Sequence, residues 1–393
     1  MLRRRHRMRR ALIAAALVSS CCAAPAASLA DFEPYTKVIT ISLVAPLSGD
    51  ERQLGIDLSN GVNLAVDETN ESRSLTDFGW KVQTFDDQAD PGIALQEAQF
   101  ALVDPTVGFV IGHVGAEETA FALQTYHEQA VPVIVPTQPY YALTQHGYNN
   151  VFRLCPTDVD EGTEAAKYAE KTLKAKKVSV VYVKDQFGVD SALGFQNYAA
   201  SGKSTKTDAA GVDVDMKSDK DIIAQVKTYA PDLIYFSGPG TKLQKVLTDI
   251  RAAGITAPAI ANDGFYDAAT IKAAGTAADG MLVTSCVPPL DLMPTAQPFA
   301  RHYQARYGQP SAYSLFGYVA AQIAIAAAKQ IHTADHLQID RQLSVGTFET
   351  VIGQFSFQRG GDVFQPDVYF YKASDGQLKY SSASVPNPLI ISR

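Results

Sequence analysis

Apolar and polar positions along this chain switch between a strand-like and a helix-like period almost from end to end. Val38 to Ala45 is a continuous apolar run broken only by Thr40 and Ser42, which fits a strand buried on both faces. After the Pro46 to Asp50 turn, Leu54, Leu58, Val62, Ala65 and Val66 form one stripe at helical spacing. Trp80 to Asp86 predicts the next strand and Ala94 to Val103 the next helix. Val107 to Ile111 and Val131 to Val135 are two further buried strands, and Glu117 to Gln129 is the helix between them. Each of these strands stops at a loop, Gly112-His113-Val114-Gly115-Ala116 and Pro136-Thr137-Gln138-Pro139. In an open parallel sheet, loops at the carboxyl ends of strands hold ligands, because backbone N–H groups and helix N-termini are unpaired there.

A second series of the same plan begins after Val151 to Cys155. It predicts helices over Glu161 to Leu173, Val189 to Ala200, Asp221 to Thr228, Leu243 to Ala253 and Ile271 to Ala274. Its strands are Lys177 to Val183, Asp232 to Phe236, Pro258 to Asn262 and Gly280 to Ser285. The Ala-rich helices Pro298 to Tyr307 and Tyr313 to Ile331 are placed back on the first lobe. Three short strands in the tail, Gly353 to Phe357, Val368 to Lys372 and Leu378 to Tyr380, are expected to extend the second lobe. The organisation is a two-lobe α/β architecture, with residues 36–155 plus 287–347 in one lobe and 156–286 plus 348–385 in the other. The chain then crosses between lobes three times, near Cys155, near Cys286 and near Gly346 to Ile352, which is the wiring of a hinged clamshell.

Composition adds a compartment. Met1 to Arg10 is rich in arginine without any acid, and Ala11 to Val18 is apolar but too short to span a bilayer. Residues 1–30 are therefore expected to be a secretory signal, cut after Ser28-Leu29-Ala30, with Leu17-Val18-Ser19-Ser20-Cys21 as a rival lipobox that would leave Cys21 lipidated. No later run is expected to cross a membrane, so the mature chain is expected in the periplasm. The formal charge is −7 for the whole chain, and loss of the basic leader makes the remainder more acidic still. That balance gives no electrostatic footprint for nucleic acid or anionic lipid. A mature chain of about 360 residues suits two domains, each with its own core, and is expected to be monomeric.

Catalytic patterns are absent. There is no Gly-x-Ser-x-Gly elbow, no phosphate loop and no paired-cysteine metal spacing, and His127-Glu128 lacks a second histidine four residues on. No enzyme activity, cofactor or metal is assigned. Asp86-Asp87 followed by Asp90-Pro91 reads as a turn and helix cap, and His113 as a histidine bonded to loop backbone. Cys155 and Cys286 are the only cysteines after the leader, and both fall on expected crossovers; if those run side by side, a hinge disulfide is one outcome and two buried, reduced thiols are the other.

Five segments in order carry a resemblance: Ile41 to Gly49, Phe85 to Pro91, Val110 to His113, Val133 to Thr137 and Asp185 to Gly188. With their spacing, over roughly residues 36 to 380, the chain resembles the leucine/isoleucine/valine-binding protein family, the periplasmic solute receptors of branched-chain amino acid ABC transporters. The resemblance implies a type I periplasmic binding protein fold, with two Rossmann-like lobes and a ligand trapped between them. It also implies an ABC permease as partner. By this likeness the cleft receives Ser48, Leu54, Gly115, Ala116, Thr137, Gln138 and Pro139 from the first lobe. From the second it receives Phe187, Pro239 within Ser237 to Gly240, Asp263, Phe265 and Tyr266.

Departures from the family pattern shape the expected ligand. Asp263 keeps the acid that binds an ammonium, but Ala116 and Pro139 stand where hydroxyls would bind a carboxylate. Phe187 and Pro239 replace tyrosines, Leu54 replaces an aromatic, and Ala89 and Gly115 stand where the family's amino-terminal disulfide would be. A charge-assisted hydrogen bond is worth about 1.5 to 3 kcal/mol, so losing two weakens the grip on any α-amino acid. The expected ligand is a small organic molecule, amino-acid-like, amide or aromatic, with an apolar body and an amine or hydroxyl for Asp263. The alternative is a ligand-sensing or envelope-regulating interaction protein on the same fold.

Overall fold

The computed structural model describes residues 37–72, 78–202, 204–215, 217–384 and 388–390. The expected leader, with Cys21 and Ala30, lies outside them. The first half runs β1 (Lys37–Ala45), α1 (Arg52–Glu71), β2 (Phe78–Asp86), α2 (Pro91–Phe100), β3 (Val107–Gly112), α3 (Ala116–Glu128), β4 (Val133–Val135) and β5 (Val151–Arg153). The second runs α4 (Asp158–Lys171), β6 (Lys177–Val183), α5 (Gln186–Gly202), β7 (Lys206–Val212), α6 (Lys220–Tyr229), β8 (Leu233–Ser237), α7 (Gly240–Ala252), β9 (Ala259–Ala261), α8 (Ala268–Ala274) and β10 (Leu282–Ser285). The tail supplies α9 (Gln297–Tyr307), α10 (Ala312–Ile331), α11 (His336–Val345), β11 (Phe348–Thr350), β12 (Gly353–Phe355), β13 (Tyr369–Ser374) and β14 (Gln377–Ala383).

Two sheets organise these elements. The first is parallel with order β2-β1-β3-β4-β5, and the second has order β14-β13-β10-β9-β8-β6-β7. The parallel part of the second repeats the arrangement of the first, and β13 and β14 add an antiparallel edge beside β10. Crossover helices cover both faces, so the central strands read VITISLVA or VSVVYV with few polar breaks. This is the type I periplasmic binding protein fold.

The helices pack where small residues let backbones meet. A Cβ at Gly61 of α1 would stand 2.0 Å from the carbonyl oxygen of Ser314 in α10, and one at Gly162 of α4 would stand 1.9 Å from that of Ser191 in α5. Alpha-helix α10 is long and apolar enough to cross a bilayer, contrary to expectation for this part of the chain, yet most of it is buried against the first lobe. Its apolar character is that of a core helix packed on α1.

Strand β7, helix α11 and strand β11 carry too little apolar pattern to stand out in the sequence. Lys206 to Val212 reads KTDAAGV, an edge strand paired on one side only, with four of its first five residues at least partly exposed. The reading of the tail needs a correction. Gly353 to Phe355 does not extend the second sheet but pairs antiparallel with β11 in a separate ribbon. Phe348, Ile352 and Phe357 are buried in the core of the first lobe, which holds this ribbon there. Arg153 accounts for the following turn: its main-chain N–H donates to the Gly361 carbonyl at 2.8 Å and its side chain binds Asp362. The chain reaches the second sheet again only with β13.

Candidate functional site

The carboxyl ends of strands from both sheets converge on one cavity of about 650 Å³. Its walls come from the loops after β3, β4, β6 and β9, the first turn of α4, and Tyr313 of α10. These loops start where strands stop abruptly. At the end of β3, Gly112 has φ +144°, and a Cβ there would stand 2.1 Å from the Val44 carbonyl oxygen, so only glycine fits. A cavity of about 530 Å³ lies along β12 and the turn through Phe364 and Pro366, with Leu154, Pro156 and Cys286 of the interlobe crossovers on its wall, and it holds none of the residues assigned to the cleft.

Of the residues assigned to the cleft, Ala116, Thr137, Gln138, Pro139, Phe187 and Asp263 line this cavity. Gly115 sits just behind, as the N-cap of α3, and Pro239 is the N-cap of α7. Ser48 is exposed at the end of β1 with its N–H 3.3 Å from Asp86 Oδ1, and Leu54 packs on the first-lobe core; neither lines the cavity. Phe265 is a correction. It is fully buried in the second-lobe core, its ring 6.1 Å from that of Phe236, because the single turn over Asp263–Phe265 points it beneath the loop.

Polar groups in the cavity divide into spent and unspent. Gln138 Nε2 donates to the Val114 carbonyl at 2.5 Å, bracing the two first-lobe loops against each other. Thr137 Oγ1, Asp158 Oδ1 and Asp263 Oδ1 are buried and have no hydrogen-bond partner. Glu117 and Tyr140, which the sequence favours as a helix-dipole partner and a helix-start packing residue over site roles, are on the wall, and so are Asp158, Asp185 and Tyr313, which it did not single out. The signal for Asp158 was present: Pro156-Thr157-Asp158 directly follows a strand and starts a helix, and Thr157 with Asp160 forms a capping box. The Asp158 N–H donates to the Pro139 carbonyl at 3.1 Å, joining the two halves at the hinge.

Beneath the wall, Glu161 Oε1 accepts from the Asp263 N–H at 3.0 Å and from Thr284 Oγ1 at 2.6 Å. Burial, with Asp263 as the next cause, pushes the Glu161 carboxyl well above its usual range. Burial pushes Asp263 up to about 6, against a hydrogen bond from Glu161 that holds it down. Asp158 is raised by burial, then by Asp263 and Asp190.

Other candidates are structural. His113 is buried, with Nδ1 2.7 Å from Asp87 Oδ2 and Nε2 2.9 Å from the Tyr126 hydroxyl, so its partners are side chains rather than loop backbone. Asp86 accepts from the N–H groups of Leu47, Ser48 and Gln88, and Asp90 caps α2. No cluster of metal-ligating side chains occurs among the described residues. The crossovers do run together, and Cys155 and Cys286 are side by side as free thiols, the second of the two outcomes open from the sequence.

A family model described as a periplasmic binding protein matches residues 38–377. The chain is 28% identical to Leu/Ile/Val-binding protein homolog 1 of Brucella melitensis biotype 1, over 87% of this chain and 93% of that one. It is 27% identical to the Leu/Ile/Val-binding protein of Citrobacter freundii, over 84% and 89%. An ABC transporter substrate-binding protein from Desulfitobacterium hafniense, solved in complex with Leu, superposes with TM-score 0.72 at 26% identity, covering 88% of this chain and all of that one. The chain thus belongs to the periplasmic binding protein family.

Proposed function

We propose that this protein is the extracytoplasmic receptor of an ABC transporter, which captures a small organic solute between its lobes and presents the closed form to a permease. The carrying observation is the cavity itself, built from strand-end loops of both sheets, with buried polar atoms left without partners on its walls. A ligand touching both lobes stabilises the closed state over the open one, and the permease reads that difference. Thr137 supplies a polar contact from the first lobe and Asp263 one from the second, Gln138 braces the first-lobe loops, Phe187 adds aromatic surface, and Ala116 and Pro139 leave apolar wall between them. An amino-terminal signal of residues 1–30 delivers the chain to the periplasm, where it acts as a monomer.

The test is a thermal-shift screen of purified residues 31–393 against amino acids, amides, aromatic acids and amines. A binder of the native state raises the melting temperature by mass action, about 2.7 kcal/mol of stabilisation at a hundredfold excess over Kd. A saturable shift from one chemical class supports the reading. Silence across every class contradicts it and favours an interaction protein on the same fold.

A further inference from the structure

The cavity wall carries carboxyl groups and no base. Glu117, Asp158, Asp185 and Asp263 line it, and no Lys, Arg or His does. Buried Arg153, which reaches the wall residue Tyr140, is spent: Nε and Nη2 donate to Asp362 Oδ1 at 3.0 and 2.5 Å, and Nη1 donates to the Tyr140 carbonyl.

The helix N-termini that open on the cavity are occupied as well. Glu118 folds back over the start of α3, one carboxylate oxygen 1.8 Å from where a Gly115 Cβ would stand, and accepts from its own N–H. Thr157 and Asp160 cap α4, and Asp185 accepts from the Gly188 N–H at 2.7 Å at the start of α5. A helix N-terminus is a ready seat for an anionic ligand group, but here the chain's own oxygens fill it. Pro139 removes one more N–H from the wall.

An independent observation points to what does fit. Asp158 is only 2% exposed, and its Oδ1 has no hydrogen-bond partner. Asp263 Oδ1 is in the same condition on the facing loop. A buried carboxylate oxygen without a donor is costly, and a cationic donor entering the cavity offsets that cost best. Phe187 and Tyr313 supply aromatic surface for the remainder of the ligand and for a cation near a ring face.

We propose that the cleft takes an organic cation without a carboxylate, an alkylamine, arylalkylamine or diamine, held by Asp158 and Asp263 together. This deepens the receptor reading and rests on it.

The test titrates 1,4-diaminobutane, 2-phenylethylamine, L-leucine and benzoate into residues 31–393 by calorimetry, and repeats the series on Asp158→Asn, Asp158→Glu and Asp263→Asn. At least one amine should bind about tenfold or more tightly than leucine and benzoate. Asp158→Asn should lose about tenfold for the amine, while Asp158→Glu, which keeps the charge, should lose less. Melting curves show that each variant is folded, and Asp263→Asn stands in if Asp158→Asn is not. Tighter binding of leucine or benzoate overturns the cation assignment and leaves the receptor reading intact. Failure of both amines to bind also overturns it, and the broader screen then decides the receptor reading by itself. Equal affinity of wild type and Asp158→Asn for the amine removes Asp158 from the site.

Discussion

Glu161 and Asp263 meet behind the cavity wall: the Asp263 N–H donates to Glu161 Oε1 at 3.0 Å, and the Asp263 carboxyl, after burial, helps to push that of Glu161 up. Two buried acids in contact share protons, so the empty protein holds more protons here than its unfolded chain does.

That sharing fixes a sign. Asp263 rises from 3.8 to about 6 on folding, so between about pH 4 and 6 the native state binds more protons, and stability falls as pH rises. Below pH 4 the favourable contribution is complete. Urea denaturation of wild type and Asp263→Asn at pH 4 and 7 should show the variant losing less stability across that span, by about 2 to 3 kcal/mol. Parallel pH profiles would contradict the shift.

Arg153 and Asp362 lie more than 200 residues apart in sequence yet close the hinge side of the first lobe. Thr144 Oγ1 also donates to Asp362 Oδ1, at 2.9 Å. Asp362→Ala leaves a fully buried guanidinium without its counter-charge, and should cost about 3 to 5 kcal/mol in urea unfolding. A loss below 1 kcal/mol would mean that the carbonyls around Arg153 suffice.

Close backbone contact between α4 and α5 sets the position of Asp158 and Glu161. A Cβ on Gly162 meets the Ser191 carbonyl, and one on Gly194 meets the Val159 carbonyl at 2.1 Å. Gly162→Ala should destabilise by about 2 kcal/mol or more despite the better helix propensity of alanine, and should also weaken ligand binding. Gain of stability in thermal melts would show that the helices can separate freely.

The hinge thiols should behave as thiols. With Cys155 2% exposed, and the half-buried Cys286 thiol pushed well up by its neighbour Cys155 and by burial, reagent titration of residues 31–393 should find two free thiols, slow to react in native protein and fast in guanidinium. An intact mass two protons short, restored by reductant, would show a bridge.

Much of this molecule is written in the apolar pattern. Central strands such as β1, β3 and β6 are buried on both faces, so their runs are long and hydrophobic, and the helices between them keep a clear stripe. Edge strand β7 and ribbon strand β11 escape because half of such a strand meets water. The strand-end loops were legible, so Ala116, Thr137 to Pro139, Phe187 and Asp263 were found. Asp158 and Tyr313 were not, since their place on the wall depends on how α4 and α10 meet the first lobe. Phe265 was misassigned because a loop aromatic turned inward cannot be told from one turned outward by sequence position.

The central claim is that one small solute is gripped by loops of both lobes. The most direct measurement is calorimetric titration of the strongest binder from the screen into wild type, Thr137→Val and Phe187→Ala, one change on each lobe. The account predicts that both variants stay folded and each loses about tenfold or more in affinity. Unchanged affinity in both would place the solute outside this cavity and contradict the account.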